Sequence, residues 1–270
     1  MRQLLLLLPL QIIVSTLGGS LPSTKMSTFD APIVDILWLG ADRRKVLLNT
    51  QKGTLYESLD DGRDWEQKSV HSLKVARLIM SAANASTVVA VGFRLEVFAS
   101  VDAGTTWKEV VHPPGIRLSF MFHPTRANWA LLSVWTEDCR LSLPGSPCTH
   151  KLLATEDLGA KPLKPISAHV VQFSWGRGDY ADTIFYTHIK DKSKRQSILS
   201  KWMEGVDFVA STDFGESKTT LVPGGNKFVI SEKFILVAQA KDVSAQTVNL
   251  KVSTDGSWFR KVGKRLAYVQ

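Results

Sequence analysis

The 270-residue sequence carries 33 Lys and Arg against 25 Asp and Glu, a formal charge of +8 at pH 7, and 44% hydrophobic residues. That apolar share supplies a real core, and 18 Gly with 11 Pro is ordinary usage, so a disordered chain is excluded. The positive charge is scattered apart from "KDKSKR" at Lys190–Arg195, which reads as a solvated loop, and no platform of interleaved basic and aromatic residues supports nucleic-acid binding.

In chain order, "MRQLLLLLPLQIIVSTLGGS" comes first: one Arg, an apolar run from Leu4 to Val14, then small residues. This is the pattern of a secretory signal peptide over residues 1–20, cleaved near Gly18–Ser20, with a retained anchor as the alternative. The run is short for a membrane span, and no other segment approaches ~20 apolar residues. Short β-type runs then alternate with turn signals. The first group is "VDILWLG", "KVLLNT", "GTLYESL" and "WEQK"; the second is "VARLIMS", "TVVAVGF", "RLEVFAS" and "TWKEVV". The third is "LSFMFHP", "WALLSVW", "KLLATED" and "LKPI"; the fourth is "HVVQFSWG", "DTIFYTHI", "SILSKWM" and "VDFVAST"; the fifth is "KFVISEK", "FILVAQA", "NLKVSTD" and "FRKVG". No long helical periodicity is visible.

One short motif recurs late in each group. "SLDDGRDW" spans Ser58, Asp60, Gly62 and Trp65; "SVDAGTTW" spans Ser100, Asp102, Gly104 and Trp107. "TEDLG" supplies Thr155, Asp157 and Gly159; "STDFG" supplies Ser211, Asp213 and Gly215; "STDGSWF", one residue shorter, supplies Ser253, Asp255 and Trp258. The aspartates recur at steps of 42, 55, 56 and 42 residues. Four short strands per ~40–45 residues is how a β-propeller blade reads. The expected fold is therefore all-β: about five four-stranded antiparallel blades over residues 21–270, with the longer third and fourth units carrying surface insertions. Chemically the motif is a turn between third and fourth strands. Its glycine takes positive φ, its aspartate accepts the turn's amides, its Ser or Thr bonds across, and its tryptophan packs under the hairpin. An aspartate needed in every unit is a structural clasp rather than a catalytic acid. The Thr155 and Ser211 copies lack the tryptophan and are expected to be less well pinned.

Cys139 and Cys148 flank a loop containing two prolines, and an oxidising lumen would join them in a local disulfide. Two cysteines cannot by themselves make a zinc site. The "NAS" at Asn84 is the glycosylation acceptor. The six histidines are dispersed, none in HExxH, and no catalytic, cofactor or metal residue is predicted. His123, His169 and His188 read as strand or strand-end residues, and Trp175 faces a tunnel or packs between blades, with packing preferred.

The turns resemble the Asp-box, or bacterial neuraminidase repeat, which occurs in sialidases, in glycan hydrolases with large propellers and in the sortilin family of vacuolar sorting receptors. "FMFHPTRANWALLSVW", the two cysteines, "LLATEDLG", "VVQFSWG", "DTIFYT" and "KFVISEKFILVAQAKDVSAQTVNLKVSTDG" resemble the luminal domain of the sorting-receptor branch, in order and spacing, over Asp35 to Val262. The resemblance implies a ten-bladed luminal propeller followed by a cysteine-rich module, a membrane span and a cytosolic tail. This chain resembles the N-terminal half of that propeller. It implies protein or peptide cargo as partner, carried from Golgi to endosome or vacuole, no cofactor, and membrane contact only through a span that this chain lacks. The lumen of the secretory pathway is the expected location for a receptor part, and secretion for a complete chain. The alternatives are a sialidase-like glycoside hydrolase, which would need placed carboxylates and an Arg-Ile-Pro that is absent here, and a secreted propeller without a sorting role. A half-propeller leaves its first and last blades uncovered, so residues 21–270 alone are expected to be unstable or to self-associate.

Overall fold

The computed structural model describes residues 26–140, 149–189, 205–242 and 247–267. Its five sheets are four-stranded antiparallel meanders, each taken from consecutive strands. Blade 1 holds β1 (Ile33–Leu39), β2 (Lys45–Thr50), β3 (Leu55–Ser58) and β4 (Glu66–Lys68). Blade 2 holds β5 (Val75–Met80), β6 (Val88–Gly92), β7 (Val97–Ser100) and β8 (Lys108–Glu109). Blade 3 holds β9 (Arg117–Phe122), β10 (Ala130–Trp135), β11 (His150–Thr155) and β12 (Lys164–Ser167). Blade 4 holds β13 (Val170–Trp175), β14 (Ile184–Ile189), β15 (Val206–Ser211) and β16 (Thr219–Val222); blade 5 holds β17 (Gly225–Ile230), β18 (Ile235–Asp242), β19 (Thr247–Ser253) and β20 (Arg260–Ala267). This is the expected all-β propeller with five four-stranded antiparallel blades.

Strand composition follows position in the stack. Second strands are sandwiched on both faces, so β6 and β10 read as near-continuous apolar runs, and both they and β2 are almost wholly buried. Fourth strands are edges; β4 is Glu-Gln-Lys and β8 is Lys-Glu, short and charged as an unpaired edge requires. The core lies between blades rather than inside one. Leu47 and Leu55 of blade 1 meet Val75, Val88 and Phe98 of blade 2, and Val89 and Val97 of blade 2 meet Ala130 and Leu158 of blade 3. Leu131 and Ile166 of blade 3 meet Trp175, Ile184 and Tyr186 of blade 4, and Phe185 and Phe208 of blade 4 meet Phe228 and Ile235 of blade 5.

One strand assignment changes. "VDFVAST" contains the third strand of blade 4, not the fourth, because it pairs with both β14 and β16, and "TTLV" supplies the outer edge. The segment "SILSKWM", expected as a strand, lies outside the described residues, as do "KDKSKR", Cys148 and the signal-peptide segment. In an up-and-down meander, the first-to-second and third-to-fourth turns share one end of the blade. The five aspartate turns therefore share one face, and the connections leaving Trp135 and Ile189 depart from the other.

Candidate functional site: the aspartate turns and the blade junctions

Each motif occupies the turn between the third and fourth strands. In the first, the Ser58 hydroxyl donates to Asp60 Oδ1 at 2.8 Å and accepts the Gly62 amide at 2.8 Å, while Asp60 Oδ1 accepts the Asp64 amide at 2.9 Å. The second repeats it: Ser100 to Asp102 at 2.7 Å, the Gly104 amide to Ser100 at 2.8 Å, and the Thr106 amide to Asp102 at 2.9 Å. In the third, Thr155 donates to Asp157 and accepts the Gly159 amide; in the fourth, Ser211 serves Asp213 and Gly215 in the same way. The shorter fifth turn keeps the Ser253–Asp255 bond, and Asp255 takes the amides of Ser257 and Trp258 instead. All five hydroxyl residues are buried, and in the first four turns each hydroxyl both donates to the aspartate and accepts the glycine amide. Only Ser or Thr does both.

The carboxylates are fixed in their charged form. For Asp213 the Ser217 hydroxyl and amide pull the pKa to about 2. At Asp102 burial raises the pKa, and bonds from Thr106 and Ser100 more than offset it, again to about 2. Asp60 and Asp255 are lowered chiefly by backbone amides, and Asp157 is lowered by amide and hydroxyl bonds that outweigh its burial. Such groups hold no proton to donate near neutral pH.

The turns do a second job that the sequence did not reveal. The glycine and the residue before it are both left-handed: Asp61 and Gly62, Ala103 and Gly104, Leu158 and Gly159, Phe214 and Gly215. That pair aims the turn at the preceding blade. A Cβ on Gly104 would lie 2.8 Å from Leu47 Cδ1 of blade 1, on Gly159 2.8 Å from Val110, on Gly215 2.9 Å from Ile166 Cδ1, and on Gly256 2.8 Å from Tyr180. Trp65 and Trp107 fold back as expected, each indole N–H donating to the carbonyl of its turn glycine. Trp258 does not: it is 68% exposed, because the shortened turn hands the inward place to Phe259, which packs edge-on to Phe208. The two turns without tryptophan are anchored by Leu158 and Phe214, 4% and 6% exposed, inserted at the junctions with the preceding blade. The apolar residue before glycine in "DLG" and "DFG" was the available signal.

At the junction of blades 3 and 4, Phe214 meets Trp129 at 4.7 Å and Trp175 at 5.9 Å. Trp175 is 2% exposed, so it packs between blades. Fully buried His123 stacks edge-on against Trp175 and accepts the Thr125 and Arg126 amides at Nδ1. Its Nε2 lies 3.2 Å from Asp182 of blade 4, and Arg126 donates to the same carboxylate from Nε at 3.0 Å. Burial holds the His123 pKa below its usual value against the opposing pull of the Ala181 backbone and Asp182, and burial lowers His150 likewise. A buried histidine of lowered pKa contributes stability in full above its unfolded value of about 6.5, and that contribution is lost as pH falls through 6.5 toward the folded value. Thermal melting between pH 7.5 and 5 is expected to show a falling midpoint. His123→Asn is expected to flatten part of that slope and leave the part due to His150; an unchanged slope would remove His123 from the account.

Cys139 lies in the 3-10 turn Glu137–Arg140 beside Thr136. Asn84 is exposed in the turn before β6, where its side-chain oxygen accepts the Ser86 amide. Among the described residues no group of three or more His, Cys, Asp or Glu could hold a metal, and no helix is long and apolar enough to cross a membrane.

Five four-stranded antiparallel meanders packed blade against blade define a β-propeller. The family model for Sortilin-Vps10, described as "Sortilin, neurotensin receptor 3", matches residues 53–263, and the chain belongs to that family. "Vacuolar protein sorting/targeting protein 10" of Mycosarcoma maydis is 26% identical over 255 residues, covering 88% of this chain and 16% of that protein. The protein of the same name in Trichophyton verrucosum (strain HKI 0517) is 24% identical over 259 residues, covering 88% and 17%. The chain thus spans 16–17% of the length of these relatives. Among solved structures, the uncharacterized protein lmo1340 of Listeria monocytogenes EGD-e superposes with a TM-score of 0.51 at 11% identity, over 89% of this chain and 69% of that one, which shows shared fold alone.

Proposed function

We propose that this chain is the N-terminal part of the luminal, cargo-binding propeller of a sorting receptor, half of a ten-bladed ring, and that it engages protein or peptide cargo bound for endosome or vacuole. The observation that carries this reading is the family match over residues 53–263, supported by relatives whose names describe sorting and targeting. The turn chemistry supports a non-enzymatic role: the five repeated carboxylates are committed to their own turns and held ionised. The aspartate turns serve as structural clasps in this reading. In a receptor part, Cys139 would pair with Cys148, Asn84 would carry a glycan, and residues 1–20 would direct the chain into the secretory lumen. The test places the immobilised chain against a positional library of fluorescent decapeptides and, separately, against a fluorogenic sialoside. Saturable peptide binding without sialoside turnover is expected. Turnover without peptide binding would replace the receptor reading with a glycoside hydrolase.

A further inference from the structure

Four of the five aspartate turns place one residue between aspartate and glycine, and three of those residues enter the junction with the preceding blade. Ala103 packs on the core between blades 1 and 2, Leu158 between blades 2 and 3, and Phe214 between blades 3 and 4. In the fifth turn Gly256 follows Asp255 directly, so the junction of blades 4 and 5 receives no such residue. The rest of that turn is in step: counted from the glycine, Phe259 takes the place of Trp65 and Trp107.

A cavity of about 250 Å³ remains there, between two blades already packed on one another through Phe208, Phe228 and Phe259. Tyr180, from the 3-10 turn Gly178–Tyr180, reaches beneath Gly256, where an added Cβ would lie 2.8 Å from its ring. Tyr180, Phe185 and Leu221 give the cavity an apolar side, and Ser217, Asp255 and Ser257 give it a polar one.

The polar groups are acceptors. The Tyr180 hydroxyl donates to the Thr254 carbonyl, the Ser217 hydroxyl donates to Asp213 Oδ2, and the Ser257 hydroxyl bonds Asp255. Their protons are spent, and each has only lone pairs left to offer. Asp255 is held ionised; its bonds from Ser253 and from the Ser257 and Trp258 amides all end on Oδ1, so Oδ2 keeps acceptor capacity. Burial raises the Tyr180 pKa, and the Asp255 and Asp179 carboxylates raise it further, which marks a negative field at the phenol. A sugar would ask such walls for donors as well as acceptors. A cation bearing N–H donors and no acceptor asks only for what they have. The volume is below the ~300–1,000 Å³ of sites that enclose a drug-sized ligand, so it suits the end of one side chain.

We propose that this cavity binds the ammonium or guanidinium end of a lysine or arginine side chain presented by a protein partner. Asp255 Oδ2 and the Tyr180 and Ser217 oxygens accept its N–H groups, and the Tyr180 ring supplies an aromatic wall to the cation. The site rests on the blade 4–5 junction itself and stands whether or not the chain sorts cargo.

Ligand-observed NMR titration of the intact secreted chain tests this. The probes are Nα-acetyl-lysine amide, Nα-acetyl-arginine amide, the uncharged Nα-acetyl-norleucine amide, methyl α-glucoside and the free diamine putrescine. Saturable binding of the lysine and arginine probes is expected, with putrescine weaker and the two neutral probes unbound. Two variants locate the site. Inserting Phe between Asp255 and Gly256 restores the length of the other four turns and refills the junction. Thr219→Lys changes an exposed cavity residue at the edge strand β16 and sets a fixed cation at the mouth. Each should melt cooperatively and weaken both basic probes about tenfold or more. No binding of either basic probe to the wild-type chain, equal binding of a neutral probe, a preference for putrescine, or unchanged binding by a folded variant would each overturn the proposal.

Discussion

Phe208→Ala is expected to lower the free energy of unfolding by about 3–5 kcal/mol, the usual range for emptying a large aromatic site in a closed core. Phe208 is fully buried on the face of blade 4 that meets blade 5. Its ring stacks on Phe185 at 5.6 Å, tilts over Phe228 at 4.8 Å and receives the edge of Phe259 at 5.8 Å. The cavity left by alanine cannot collapse cheaply, because the walls are strands locked in two different sheets. Gly225 lies against it, where an added Cβ would be 2.7 Å from Phe208 Cβ, and is held by the paired start of β17. Because the loss falls at the junction, blade 5 should open first. Urea denaturation should show the lowered midpoint, and hydrogen exchange should show lost protection in β18 and β19 at smaller cost than in blades 1 and 2. Phe208→Leu, which refills most of the volume, should lose markedly less. A loss below about 1 kcal/mol for the alanine variant would mean that blades 4 and 5 do not share a packed core.

Much of this architecture was legible from spacing. Motif recurrence gave the blade count, and the run "KVLLNT" coincides with β2 residue for residue, its apolar Val46–Leu48 centre being buried on both faces. What failed to read did so for physical reasons. In blade 4 the apolar run "SILSKWM" was read as the third strand and "VDFVAST" as the fourth, and apolarity alone could not assign the third strand to "VDFVAST". The register of β15 with β14 and β16 could. Trp258 looked like Trp65 and Trp107, but counted from the turn glycine it is Phe259, three residues after Gly256, that matches Trp65 after Gly62 and Trp107 after Gly104, so Phe259 went inward. The His123–Asp182–Arg126 contact joins residues 56 and 59 positions apart that carry no shared motif. The clasp reading of the motif described hydrogen bonds within one hairpin. Its grip on the preceding blade depends on how tightly two blades approach, a distance that composition does not encode.

That grip separates two substitutions that look identical in sequence. Gly62→Ala and Gly215→Ala both place a Cβ at strongly positive φ, +88° and +86°. Each should therefore lose about 1 kcal/mol from the left-handed backbone alone. At Gly62 that is the whole expected effect, since the nearest atom is 3.3 Å away on the Trp65 ring, which can shift with its own turn. At Gly215 the new Cβ meets Ile166 at 2.9 Å from Cδ1 and 3.2 Å from Cα. The Cδ1 can rotate away, but the Cα belongs to β12 and cannot move without pulling that edge or displacing Phe214 from between Trp129 and Trp175. The expected loss there is about 2–4 kcal/mol, combining backbone strain with overpacking. A second comparison fixes the cause. Ile166→Val carries no positive-φ penalty and, combined with Gly215→Ala, should recover part of the loss by making room for the new methyl, whereas combined with Gly62→Ala it should only add its own cost. If Gly215→Ala and Gly62→Ala fall by equal amounts, the turn acts within its own hairpin and the blades are held together by the apolar junctions alone.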